Sequence, residues 1–119
     1  MAGVFSMHEI ELLPGASADE FERFVRDESA RMPFPPGMTA SVLKGDRGER
    51  VGRYLFLVEF DSEETRARLY PEPRTPSEEM RQLLAAPAVQ QFLGRWGTMA
   101  TIPDQGTVYT DYVVVAPFA

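Results

Sequence analysis

From Val4 to Leu13 apolar and polar residues alternate in a ragged two-residue rhythm, which predicts a first strand. One face of it carries Val4, Ser6, His8, Ile10 and Leu12; the other carries Phe5, Met7, Glu9, Glu11 and Leu13. Pro14-Gly15 ends the strand. Ser17 followed by Glu20 is the capping-box pattern that opens a helix. Phe21, Phe24, Val25, Glu28 and Met32 then recur at helical spacing and define one buried stripe, with Glu28 its charged member. The run Pro33-Phe34-Pro35-Pro36-Gly37 stops the helix, because a proline disfavours helical backbone in the residue before it.

A second strand is expected from Met38 to Lys44, a hairpin turn at Gly45-Asp46-Arg47-Gly48, and a third strand from Gly52 to Phe60. Tyr54, Phe56, Val58 and Phe60 line one side of the third strand, with Leu55, Leu57 and Glu59 on the other. Asp61-Ser62-Glu63-Glu64 caps a short helix reaching about Tyr70, and Pro71, Pro73 and Pro76 interrupt it. Thr75, with Pro76 and Glu78 behind it, reads as a second N-cap, and Met80, Leu83 and Leu84 as the apolar face that follows. Pro87 should kink or restart this helix, whose stripe resumes at Val89, Phe92, Leu93 and Trp96 and ends at Gly94 and Gly97. Thr107 to Val115 is the expected fourth strand.

The order strand, helix, strand, strand, broken helix, strand predicts a single α+β domain over residues 4–115. Its class is ferredoxin-like βαββαβ, a four-stranded antiparallel sheet with helices on one side. Two helices cover only one face of such a sheet, yet the third strand is apolar on both sides. The fourth behaves similarly, with Val108, Tyr112 and Val114 opposing Tyr109, Val113 and Val115. A half-wet antiparallel sheet should alternate cleanly. Leaving those side chains in water costs roughly 1.5–3 kcal/mol each as an upper bound, so a homodimer packed sheet to sheet is expected.

Composition narrows the chemistry by exclusion. The 119 residues are 44% apolar, as in an ordinary globular protein. Apolar runs are short, such as Tyr54 to Val58, so no membrane span is expected. Met1 to Glu9 lacks the basic start and apolar core of a signal peptide, which makes a cytoplasmic location the expectation. The absence of cysteine removes thiol nucleophiles, disulfides and iron–sulfur ligation. Lys44 is the one lysine, and asparagine is absent. A net charge of −6 argues against nucleic acid as a partner.

These patterns resemble the dimeric α/β barrel superfamily, the group that includes antibiotic-biosynthesis-monooxygenase-like proteins. The likeness rests on Met7-His8-Glu9-Ile10-Glu11-Leu12 leading into Pro14-Gly15, and on Tyr54-Leu55-Phe56-Leu57-Val58-Glu59-Phe60 running into an acidic helix cap. The closing Thr110-Asp111-Tyr112-Val113 strand is similar too. The resemblance implies two sheets closing into a barrel, with a small-molecule cleft between sheet and helices. It spans cofactor-free monooxygenases, haem-degrading enzymes, lactone isomerases, polyketide cyclases and ligand-binding regulators, so fold is a poor guide to activity. Haem-degrading and quinone-forming relatives use an Asn with Trp and His, a set this chain lacks.

His8 is the only imidazole, the side-chain type that ordinarily titrates near neutrality. It reads as a general base on a cleft wall or, more plainly, as a structural residue at a sheet edge or interface. His8-Glu9-Ile10-Glu11 suggests a metal site, but both glutamates point away from His8 on a strand, so no metal is expected. Asp111 and Glu59 are carboxylates set in apolar strands, a pattern found at functional sites and also in pairs with an arginine such as Arg53. Tyr54, Trp96, Tyr109 and Tyr112 are amphipathic aromatics suited to lining a cleft and equally suited to a core. Pro-x-x-Pro matches at Pro33 and Pro73 read as punctuation between helices. No motif fixes a reaction. The leading reading is binding of a small apolar or aromatic molecule, without a cofactor. The alternative is a cofactor-independent monooxygenase or cyclase/isomerase acting on an aromatic or polyketide-like substrate, with His8 as base and Asp111 and Tyr112 orienting.

Overall fold

The computed structural model describes residues 3–103 and 105–118. Strands β1 (Val4–Ile10), β2 (Met38–Lys44), β3 (Tyr54–Phe60) and β4 (Tyr109–Val113) form one antiparallel sheet in the order β2-β3-β1-β4. Helix α1 (Ala18–Glu28) makes the first crossover, and α2 (Glu63–Leu69), α3 (Glu78–Ala85) and α4 (Pro87–Trp96) make the second. This is the ferredoxin-like βαββαβ arrangement, with its second helix in three pieces. The breaks follow the prolines. Ala86 is extended (φ −60°, ψ 138°), as a residue before proline prefers, and Pro87 opens α4 in its first turn.

Opposed residues of a ladder share a face, so the register sorts the side chains. Val4, Ser6, His8 and Ile10 of β1 lie opposite Phe60, Val58, Phe56 and Tyr54 of β3. On the other flank Val4, Ser6 and His8 meet Val113, Asp111 and Tyr109 of β4. The helices cover this inner face in two separate clusters. Leu69 of α2 and Met80 of α3 pack on Val4, Met38, Val58 and Phe60. Phe21 and Phe24 of α1 and Trp96 of α4 pack on Ile10 and Tyr54. Phe56 touches both clusters and stays only partly buried, although it lies on the inner face of an interior strand.

Several boundaries differ from the sequence pattern, three of them where a local hydrogen bond wins. β1 ends at Ile10 rather than Leu13, since residues beyond it turn to the segment after α4: Thr101 N–H donates to Glu11 O and Leu13 N–H to Met99 O, both at 2.9 Å. α3 starts after Ser77, whose hydroxyl accepts from Met80 N–H, and not after Thr75. Thr75 N–H instead donates to Glu72 O and closes a tight turn. β3 begins at Tyr54 because Gly45 and residues 52–53 still close the hairpin loop, with Gly45 N–H to Arg53 O at 2.8 Å. A Cβ on Gly45 would lie 1.9 Å from Arg50 O, so only glycine fits. β4 stops at Val113, the residue opposite Val4, where β1 itself begins. Among the described residues no helix is long and apolar enough to cross a membrane.

Candidate functional site

His8 stands in the middle of the sheet with its side chain on the inner face and is almost wholly buried. Its ring stacks on Tyr109 at 5.1 Å between centroids and meets Phe56, tilted, at 6.0 Å. Ser6, two residues before it and therefore on the same face, places Oγ 3.1 Å from His8 Nε2. The direction of that hydrogen bond follows the imidazole tautomer. An imidazole, a hydroxyl and a phenol thus gather beside Phe56, in the seam between the two core clusters. The group can accept or donate a proton and can stack a flat ring.

Two arginines close the β4 side. Arg74 holds its guanidinium 4.9 Å from the Tyr109 ring centroid and donates from Nη2 to Thr107 O at 2.7 Å. Arg66 of α2 donates from Nη1 to Asp111 Oδ2 at 3.0 Å. Asp111 is therefore on the His8 face, opposite Ser6, and its arginine is Arg66 rather than Arg53.

Tyr54 on the inner face and Trp96, which packs on that face from α4, belong to the α1–α4 end, with their polar tips already engaged. Trp96 Nε1 donates to Thr101 O at 2.8 Å, and the ring packs edge-on against Phe21 and Phe56. Tyr54 donates to Glu22 Oε2 at 2.5 Å. Burial, then that bond to a carboxylate, pushes the Tyr54 phenol up to about 12. Glu22 in turn is held below the usual carboxylate range by hydrogen bonds from Lys44 (2.8 Å), then Tyr54. Of the sequence candidates, His8, Tyr109 and Asp111 are gathered on one side of the seam.

Tyr112 is not with them. It opposes Phe5 on the outer face and is 52% exposed, so it cannot orient anything held by His8. There it lines an open depression of about 210 Å³ with Met7, Leu55 and Val108. Glu9 lies on that same face and pairs with Arg50 at 3.2 Å, while Glu59 opposes Phe5. Among the described residues no cluster of three or more His, Asp or Glu could hold a metal ion. Sequence reasoning missed Ser6, Phe56 and Arg74. The two-residue strand rhythm already placed Ser6 with His8 and carried a usable signal. Nothing local marked Arg74, which stands in a proline-rich stretch that reads as punctuation.

No family model matches the chain, and no curated protein sequence matches it. Solved structures do resemble it. A NIPSNAP-like domain protein from Burkholderia xenovorans superposes with a TM-score of 0.59 at 16% identity, over 97% of this chain and 85% of that one. A dabb family protein with a ferredoxin-like fold from Mesorhizobium loti gives 0.54 at 16% identity, over 98% and 100%. SnoaB, a cofactor-independent oxygenase from Streptomyces nogalater, gives 0.53 at 13% identity, over 100% and 97%. At such identities the likeness establishes a shared ferredoxin-like fold over nearly the whole chain.

Proposed function

We propose that the chain binds a small, flat, largely apolar molecule in the seam over Phe56, oriented by His8, Ser6 and Tyr109, and that it does so as a homodimer. The observation that carries this reading is the partial exposure of Phe56 between the two core clusters. An aromatic ring left accessible beside three polar groups is the composition of a ligand site: apolar walls with a few placed hydrogen-bonding groups. The dimer is supported by the outer face, where Leu43, Leu55, Leu57, Val108 and Tyr112 carry no helix over them.

Trp96, the chain's one tryptophan, packs 5.8 Å from Phe56 and is a built-in reporter. Titration with naphthol-sized aromatic and polyketide-like compounds should change its fluorescence, and calorimetry should return a saturable affinity. His8→Gln should weaken that affinity by the roughly 0.5–1.5 kcal/mol of one neutral hydrogen bond. A panel that leaves both signals flat would sink the binding reading.

A second reading is favoured by the burial of His8 itself beside Ser6 and Tyr109. A cofactor-independent oxygenase or a cyclase/isomerase needs a base against an acidic C–H or phenol, and His8 is the candidate. Tyr109 and Ser6, not Tyr112, then orient the substrate. SnoaB, described as a cofactor-independent oxygenase, has this fold. Loss of turnover in His8→Gln with affinity retained would separate catalysis from binding.

A further inference from the structure

Arg74 is the one non-glycine residue with a positive φ among the described residues, at 56°. It follows Pro73 in the turn that Thr75 N–H closes onto Glu72 O at 3.1 Å. In a four-residue turn with proline second and a left-handed third residue, glycine is the favoured occupant of that third position. This chain keeps a long cationic side chain there. Strain of that kind is retained where the side chain has a task, and the task is visible in where the side chain goes.

The guanidinium rests 4.9 Å from the ring of Tyr109, the residue stacked on His8. Arg74 is exposed, and its Nη2 donates to Thr107 O at 2.7 Å, which holds the guanidinium beside that ring. Of five N–H donors, that bond uses one. Among the described residues no carboxylate pairs with Arg74, whereas Arg66 at the same side of the seam is neutralised by Asp111 at 3.0 Å. A fixed planar cation with donors to spare is the group that recognises a carboxylate through two parallel hydrogen bonds. The chain as a whole carries −6, so this attraction is local and not a product of a basic surface.

From these observations we infer that Arg74 is the anion anchor of the seam, and that its ligand is a planar, mostly apolar monoanion bearing a carboxylate. The inference rests on the seam-binding reading and names its ligand class. The ring lies over Phe56 against His8, and the carboxylate reaches toward Arg74 along Tyr109.

The test compares 2-naphthoate with the neutral, near-isosteric 2-naphthamide by calorimetry on the full chain. Wild type should bind the acid about 10- to 100-fold more tightly than the amide, the range expected of a charged hydrogen-bond pair. Added salt should weaken the acid only. Arg74→Gln should bring acid and amide to within about twofold of each other, the ratio of the two affinities being the readout. Arg74→Gly also relieves the positive φ, so it should melt no lower than Arg74→Gln and likewise lose the discrimination, which keeps the test open if the glutamine variant folds poorly. Acid and amide binding equally in wild type, or discrimination surviving in either variant, overturns the anchor and leaves the seam standing. No binding of either compound to wild type overturns both.

Discussion

The contact between Tyr54 and Glu22 shows how one pair of side chains ties α1 to the sheet and makes the tie depend on pH. The Tyr54 phenol is held protonated up to about 12 by burial and by its bond to Glu22. A raised folded-state pKa means stability that is complete below the ordinary tyrosine value near 10 and lost as pH climbs from there to about 12. Glu22 works in the opposite sense. Its lowered pKa gives stability above about 4.5 that disappears as pH falls through the folded value. Urea midpoints followed from pH 9 to 12 should therefore fall less steeply for Tyr54→Phe than for wild type. At pH 7 the same variant should already be less stable than wild type, because it lacks the bond to Glu22. Equal alkaline slopes for the two proteins would show that the phenol carries none of this dependence. At this scale the sequence was only half legible. Strand rhythm puts Tyr54 and His8 on the inner face, but it cannot say that Tyr54 is engaged by a glutamate on α1 while His8 lies buried between Ser6 and Tyr109. That distinction depends on where α1 crosses β3.

The starts of α1, α2 and α3 are set by serine hydroxyls, and that of α3 was open to two registers. Ser17 caps α1 as its pattern implies, accepting from Glu20 N–H. Before α3, Thr75 and Ser77 both satisfy the requirement for a hydroxyl followed by an acidic first turn. Ser77 takes the role because Thr75 is committed to the turn that carries Arg74, its N–H donating to Glu72 O and its hydroxyl to Pro73 O at 3.1 Å. Ser77→Ala should lower stability by about 0.5–2 kcal/mol, and Thr75→Ala by clearly less. Comparable urea midpoints for both variants would mean the cap does not reside at Ser77. Where the pattern had a single solution the element edges were legible to the residue, as for Met38–Lys44. Where two solutions lay two residues apart, only the chain's path settled the choice. Gly37 gives the same lesson in three dimensions: its φ of +84° is a local demand, but its approach to Asp61, which would place a Cβ 2.9 Å from the carboxylate, joins two loops distant in sequence.

At the scale of the whole molecule the sheet has one clothed face and one bare one. The bare face was legible early, because β3 and β4 carry apolar residues on both sides where a half-wet sheet would alternate. If a second copy covers it, sedimentation at micromolar concentration should give a dimer, and Leu57→Lys should shift it toward monomer without unfolding α1 or α3. A wild-type mass that stays monomeric at every concentration would remove the case for sheet-to-sheet packing. The seam was not legible, since it arises from helices broken by Pro71, Pro73, Pro76 and Pro87 and so unable to lay one continuous stripe across the sheet. β4 holds one wall of that seam and is the sheet's thinly covered edge, half-buried only at Tyr109 and exposed over the rest of its five residues. Edge segments with so little burial detach from a fold far more often than its interior does. On the seam-binding reading, a molecule seated against Tyr109 rests on the part of the sheet that opens most readily, so its binding should slow amide exchange along β4 more than along β3.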